Sequence, residues 1–282
     1  MKLALLGDLH YHEIDQSIPG LSEARTEFYH NVLEQFLNLD ADLYISLGDL
    51  TNFGLVSELE DVYRLLSREN KKFIHVLGNH DLYGQTRKEV LKVTGQRRYH
   101  MIETEEVMLV FLDTAKEMDF KDWGGWLDEE QLEWLESMVM ASSQRPLLVF
   151  GHHPVYRTTA GSEREKGSIH PSIDMWSILN RNKGIGIYFN GHTHRDSIVQ
   201  QQDWSFVQLS ACLDQPGFRL VDIGNEVIRI SAIDVTDPAV IENAPLLHKH
   251  MMHFSPTPGA RGKEEDRELV VPLLGAAQLK LK

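Results

Sequence analysis

The sequence predicts an α/β protein organised around a mainly parallel sheet, and three observations carry the prediction. Short apolar runs alternate with amphipathic helical patterns through the first two hundred residues. Several of the runs are apolar throughout, as expected of strands covered on both faces. Five of them end on a glycine followed closely by Asp, Asn or His. Such alternation is the signature of βαβ units.

Taken in order, the strand candidates are LALL (3–6), LYISL (43–47), FIHVL (73–77), VMLVFL (107–112), LLVF (147–150) and IGIYF (185–189). Phe28, Val32 and Phe36 share a helical face between the first two. Leu59, Val62, Leu65 and Leu66 mark a second helix, with Ser57 as its expected N-cap. Leu132, Leu135, Met138 and Val139 mark a third; Asp128 and Gln131 have capping-box spacing at its start. Beyond residue 200 the helical patterns stop. WSFVQLS, FRLVDIG and EVIRISAI read as three consecutive antiparallel strands, with turns at Pro216–Gly217 and Gly224–Asn225. Residues 1–235 therefore read as one domain. From residue 236 to 282 no period is evident, and this segment reads as a C-terminal extension packed on the domain or reaching a partner chain as in a homodimer. Its His248, His250 and His253 could form a metal tract, but packing or solvated histidines are the simpler reading, since no carboxylate stands at ligand spacing.

The strand ends carry the chemistry. GDLH presents Asp8 and His10; GDL presents Asp49; GNHD presents Asn79, His80 and Asp81; GHHP presents His152 and His153; NGHTH presents His192 and His194. Each piece alone has a plain explanation as a turn, because Gly, Asn and Asp favour turns. Histidine does not, and in a parallel sheet the C-terminal strand ends share one edge, where ligands bind. Residues nearly two hundred positions apart thus converge. Carboxylate, amide and imidazole are oxygen and nitrogen ligands that suit Mn, Fe, Zn or Mg; a thiolate site would want cysteines.

Composition narrows the class. The chain has 282 residues, long enough to bury a core without disulfides, and its one cysteine, Cys212, permits no internal bridge. A reducing, cytoplasmic setting is expected. No apolar run approaches the roughly 20 residues of a membrane helix, and KLALLGDLH reads as a core strand rather than a signal peptide. The net charge of −14 disfavours a long nucleic-acid track, though bound cations can reverse the local sign for small phosphates.

In order, D-x-H, GD, GNHD, GHHP and GHTH resemble the calcineurin-like metallophosphoesterases, and among them the branch of class III cyclic-nucleotide phosphodiesterases and glycerophosphodiesterases. GWLDEEQLEWLES (125–137) and QPGFRLVDI (215–223) add to the likeness, which spans about residues 1–235. It implies a four-layered α/β/β/α sandwich with a dinuclear metal site at the C-terminal strand edge. One metal would be held by Asp8, His10, Asp49 and His194, the other by Asp49, Asn79, His152 and His192, with Asp49 bridging. His80 would face the substrate. Asp81 behind it would orient it or cap the next turn. Two divalent or mixed-valence ions (Mn, Fe or Zn) would hydrolyse a small phosphodiester, cyclic-nucleotide or glycerophosphodiester-like, by attack of a metal-bound hydroxide. Two departures bear on substrate rather than metal: HHPV, with Val155, replaces the branch's HHPP, and the polar loop 156–172 is this chain's own. A phosphomonoesterase, a nuclease and a metal-stabilised interaction protein are the alternatives.

Overall fold

The computed structural model describes residues 1–67 and 70–273. Its strands form two six-stranded mixed sheets rather than the one mainly parallel sheet expected from the alternation. In the first, parallel β1 (Lys2–Leu6), β2 (Leu43–Ser46) and β3 (Phe73–His75) are extended from β1 by antiparallel β10 (Gly217–Ile223), β11 (Val227–Asp234) and β12 (Glu268–Pro272). In the second, β5 (Met108–Phe111), β6 (Leu147–Phe150), β7 (Gly186–Asn190) and β9 (Trp204–Gln208) run parallel, and β4 (His100–Glu103) and β8 (Ser197–Gln201) close its edges antiparallel.

The inner faces meet in one apolar layer. Leu3, Leu5, Leu43 and Ile45 of the first sheet pack against Leu109, Phe111, Phe150 and Phe189 of the second, all 5% exposed or less. Burial of each such side chain is worth about 1.5–3 kcal/mol relative to exposure. The outer faces are covered by helices. On the first lie α1 (Leu21–Leu37) and α6 (Pro238–His250), with α2 (Val56–Leu66) beside them; on the second lie α4 (Glu129–Ser142) and α5 (Met175–Leu179). Helix α3 (Arg87–Thr94) packs beside α2. The result is the α/β/β/α sandwich. In it Phe28, Val32 and Phe36 are fully buried on one face of α1, as their spacing predicts.

Several local readings need correction. WSFVQLS does not begin an antiparallel trio: β9 joins the second sheet parallel to β7, and only β10 and β11 form the hairpin. Ser57 does not cap α2; Leu55 occupies the cap, and Glu58 accepts the Phe53 and Leu55 N–H groups in place of a Ser hydroxyl. Asp128 does cap α4, accepting from the Gln131 N–H at 2.9 Å, but the Gln131 side chain turns inward and pairs with both backbone groups of Asp113. The segment after residue 236 has regular structure. Asp237 caps α6, with Pro238 at its first position, and β12 adds to the sheet edge. Pro245 in mid-helix hid the period of α6. Residues 274–282 of the extension lie outside the described residues. Among those described, no helix is long and apolar enough to cross a membrane.

Candidate metal centre

The loops that follow β1, β2, β3, β6 and β7 meet at one rim of the sandwich, and all seven predicted ligands lie there. The ligand atoms of Asp8, His10, Asp49 and His194 fall within 4.8 Å of one another. His152, His153 and His192 form the adjoining group. His152 Nε2 is 3.2 Å from Asp49 Oδ2 and 3.0 Å from Asn79 Oδ1, so Asp49 touches both groups. His10 Nε2 and His194 Nε2 face each other at 3.1 Å, and His192 Nδ1 and His152 Nε2 at 3.3 Å. Buried ring nitrogens converging with carboxylate and amide oxygens are a donor set that fits cations.

The backbone is bent to achieve this. His10, Asp49, His192 and His194 all have left-handed φ, between 49° and 75°. Two glycines supply the clearance. A Cβ on Gly78 would strike the Asp49 carboxylate, and one on Gly191 would strike that of Asp8. The strand-end glycines thus make room for the ligands themselves.

The outward ring nitrogens are mostly fixed. His152 Nδ1 pairs with the Leu47 carbonyl at 2.9 Å, and His192 Nε2 with the Lys166 carbonyl at 2.8 Å. His194 Nδ1 lies 3.5 Å from Asp214 Oδ2. Asn79 donates from Nδ2 to the Tyr83 hydroxyl at 2.7 Å, which leaves its Oδ1 aimed at the centre. Such contacts select the tautomer and the ring orientation. Electrostatics hold His10 and His192 in the neutral form that ligates a cation, whereas His152 must give up a proton to do so. Burial holds His10 well below the usual imidazole range, with His80 and His194 adding to the effect. Burial and the neighbouring His152 bring His192 down to about 3. Burial opposes a charged His152, but Asp49 and Asp8 beside it prevail and raise it to about 9. Burial pushes Asp8 up to about 6 despite His152 and His194.

His80 lines the cleft and is held from behind: its Nδ1 pairs with the Asn52 carbonyl at 2.7 Å, and its N–H donates to Asp49 Oδ1 at 2.8 Å. Burial lowers its pKa although Asp49 opposes the shift. Asp81 is not its partner. The Asp81 carboxylate is fully buried, accepts from the Thr51 N–H and hydroxyl and from the Gly78 N–H, and pairs with His75 Nε2 at 2.9 Å. It ties the turns after β2 and β3 together and never reaches the cleft, so its expected place beside the chemistry is withdrawn. His153 is held at both ring nitrogens, by Thr114 Oγ1 and the Trp123 carbonyl.

Sequence reasoning missed Asn52, Lys166 and Leu47, which act through backbone carbonyls that leave no sequence signal. It also missed Asp214. Tyr83 could have been found: it stands four residues after Asn79, one turn further along. His248 lies 4.0 Å from Asp214 Oδ1 and belongs to neither ligand group.

Above the rim opens a cleft of about 470 Å³. Asp49, Asn79, His80, His192 and His194 border it. Phe120, Trp123 and Arg164 border it as well, and so do His253, Ser255 and Thr257 of the C-terminal segment.

Comparison with known proteins agrees with this geometry. Residues 1–196 match the family model for calcineurin-like phosphoesterases. The chain is 22% identical over 223 residues to the glycerophosphodiester phosphodiesterase GpdQ of Enterobacter lignolyticus, covering 76% of this chain and 78% of that one. It is 20% identical over 240 residues to a 3',5'-cyclic-nucleotide phosphodiesterase of Nostoc sp., covering 79% and 88%. Its fold matches a dimetal phosphatase from Danio rerio with a TM-score of 0.67 at 15% identity, over 83% of this chain and 96% of the other. With a matching family model across more than half its length and the expected sandwich beneath it, the chain belongs to the calcineurin-like phosphoesterases, hydrolases of phosphate esters.

Proposed function

We propose that the protein hydrolyses a small phosphodiester on a dinuclear metal centre. The observation that carries this reading is the double cluster at the rim, with Asp49 in contact with both halves. Asp8, His10, Asp49 and His194 would hold one ion, and Asp49, Asn79, His152 and His192 the other. Two dications there would neutralise the non-bridging phosphate oxygens and activate water near neutral pH. The protein's own part is positioning. Asn79 contributes an oxygen without charge, which keeps the site from accumulating anions against an anionic substrate. The Asn52 carbonyl fixes His80 with Nδ1 turned away, so that Nε2 is left for the cleft. From there His80, once protonated at both ring nitrogens, would pass its Nε2 proton to the departing oxygen and keep the Nδ1 proton on the Asn52 carbonyl. The small cleft and the acidic surface, at net charge −14, favour a compact substrate over a long polyanion. The phosphodiesterase names of the relatives support a diester over a monoester.

The test is metal-dependent turnover of two diesters by wild type and His80→Ala. A nitrophenolate leaves readily without a proton, whereas an alkoxide does not. General-acid help is worth about 10²–10⁴-fold where it is needed. His80→Ala should therefore lose most of kcat/KM on an alkyl diester and little on a nitrophenyl diester, with metal content unchanged. Equal losses on both would remove the acid role. Absence of metal-dependent turnover would remove the diesterase reading.

A further inference from the structure

The segment after α6 ends on the site rather than on the outer surface. Phe254 is 8% exposed. Its ring stacks on His194 at 5.2 Å between centroids and meets His10 edge-on at 5.0 Å. It also stacks on His248 at 5.3 Å. An apolar ring is thus wedged against the two imidazoles whose Nε2 atoms face each other. Next to it, His253 has left-handed backbone, φ 61°, and its ring lies 5.2 Å from Phe53. Left-handed non-glycine residues cost about 1–3 kcal/mol and collect at functional positions.

Both ends of the segment are tied to residues that themselves hold site histidines. Before it, the Met252 carbonyl accepts from Asn52 Nδ2 at 2.9 Å, and the carbonyl of that same Asn52 pairs with His80. After it, the Thr257 N–H donates to Asp214 Oδ1 at 3.1 Å, and the other oxygen of Asp214 lies beside His194 Nδ1. Between these ties His253 and Ser255 line the cleft, as does Thr257 at the second tie. They bring one imidazole and two hydroxyls. The rest of the lining includes Phe120 and Trp123, about half-exposed aromatic rings, near the end where the Trp123 carbonyl pairs with His153.

We propose that residues 251–257 form a substrate-contacting strap, seated by Phe254 on the His10–His194 pair, in which Ser255 and Thr257 select a hydroxyl-bearing arm of the substrate. The assignment rests on the phosphodiester reading above. Phe254 excludes water from the imidazoles and limits their movement, so it strengthens cation binding without being a ligand. The hydroxyls replace water on a polyol arm and find no partner on an alkyl arm of the same length. The C-terminal segment thereby sets specificity.

Two measurements on the full-length chain decide it. The first compares glyceryl and propyl nitrophenyl phosphate, which share a leaving group and differ only in the hydroxyls of the arm. Wild type should show a KM about tenfold lower for the glyceryl ester, the worth of one or two net hydrogen bonds. In the Ser255→Ala/Thr257→Ala double variant that ratio should fall towards one. A wild-type ratio of one, or a preserved ratio in the variant, overturns the strap as a specificity element. The second measurement titrates metal-stripped Phe254→Ala with Mn²⁺ or Zn²⁺ by calorimetry, with circular dichroism as the folding control. Hydrogen-bonded outer-shell partners are worth about 10–100-fold in metal affinity, and an apolar ring that orients two ligands is set at the lower end, so about a tenfold weakening is expected. Unchanged affinity in a folded variant overturns the seating role. If wild type turned over neither ester with metal, the diesterase reading would fall, while the calorimetry would still judge the strap.

Discussion

His10, Asp49, His192 and His194 each occupy left-handed backbone, uncommon outside glycine although Asp and His enter it more than most, at a cost of about 1–3 kcal/mol apiece. The fold sustains that cost because a strand behind each residue and a buried bond beyond it fix the turn. Asp49 is the most constrained of the four. Its Oδ1 takes the His80 N–H and its Oδ2 lies against His152, while its ligand atom shares the other cluster with Asp8, His10 and His194. Asp49→Asn keeps the shape and removes the charge, so metal content per chain should fall for both ions. Asn79→Ala should deplete only one. Equal metal in wild type and Asp49→Asn would end the bridging role. The convergence of all seven candidate ligand positions was legible in the sequence because glycine-punctuated strand ends leave a local mark. Asp81 was misjudged from that same mark. Adjacent to His80 in the chain, it points the other way after one 3-10 turn, and no residue-type pattern records where a turn aims its carboxylate.

Among the elements, α2 begins without a polar cap of its own and relies on Glu58. The Glu58 side chain accepts from Phe53, Leu55 and Glu13 N–H groups, yet it is only 2% exposed. Burial outweighs the three donors and pushes its carboxyl up to about 7 from an ordinary 4.5. The folded chain therefore binds this proton more tightly than the unfolded chain. Its contribution is fully present below pH 4.5 and is lost as pH rises through about 7, with a slope of up to about 1.4 kcal/mol per pH unit between those limits. Glu58→Gln keeps an acceptor for Phe53 and Leu55, sets an amide against the Glu13 N–H, and abolishes the titration. Urea midpoints in chelator should fall less between pH 5 and 7.5 in Glu58→Gln than in wild type, whatever the variant's absolute stability. A parallel pair of curves would refute this. Elements of strong period, such as α1 and β6, were legible; β4 and α5 were not. β4 is half-buried and only four residues long, and α5 has five residues, too few to establish a period. The sheet to which β9 belongs was hidden for another reason. Strand pattern reports burial, not partner, and β9 is buried on both faces in either arrangement.

Across the whole molecule, the candidate ligands are divided between the two sheets. Asp8, His10, Asp49 and Asn79 follow strands of the first; His152, His192 and His194 follow strands of the second. Cations bound at the rim would join the sheets, and a ligand that binds only the folded state stabilises by about 2.7 kcal/mol at a hundredfold excess over its Kd. For a chain of this size that is about 5 °C in Tm. Chelation should lower Tm by at least that amount, and readdition of metal should restore it. An unchanged Tm would mean that the folded chain binds no cation at the rim in preference to the unfolded chain. The division has a further consequence, for time rather than stability. An ion gripped by both leaves of a book stays held by one when the other lets go, so its departure through the cleft should require ligands of both sheets to release together. A chelator entering by the cleft would then wait on that joint release, and metal exchange would report how closely the two sheets move as one.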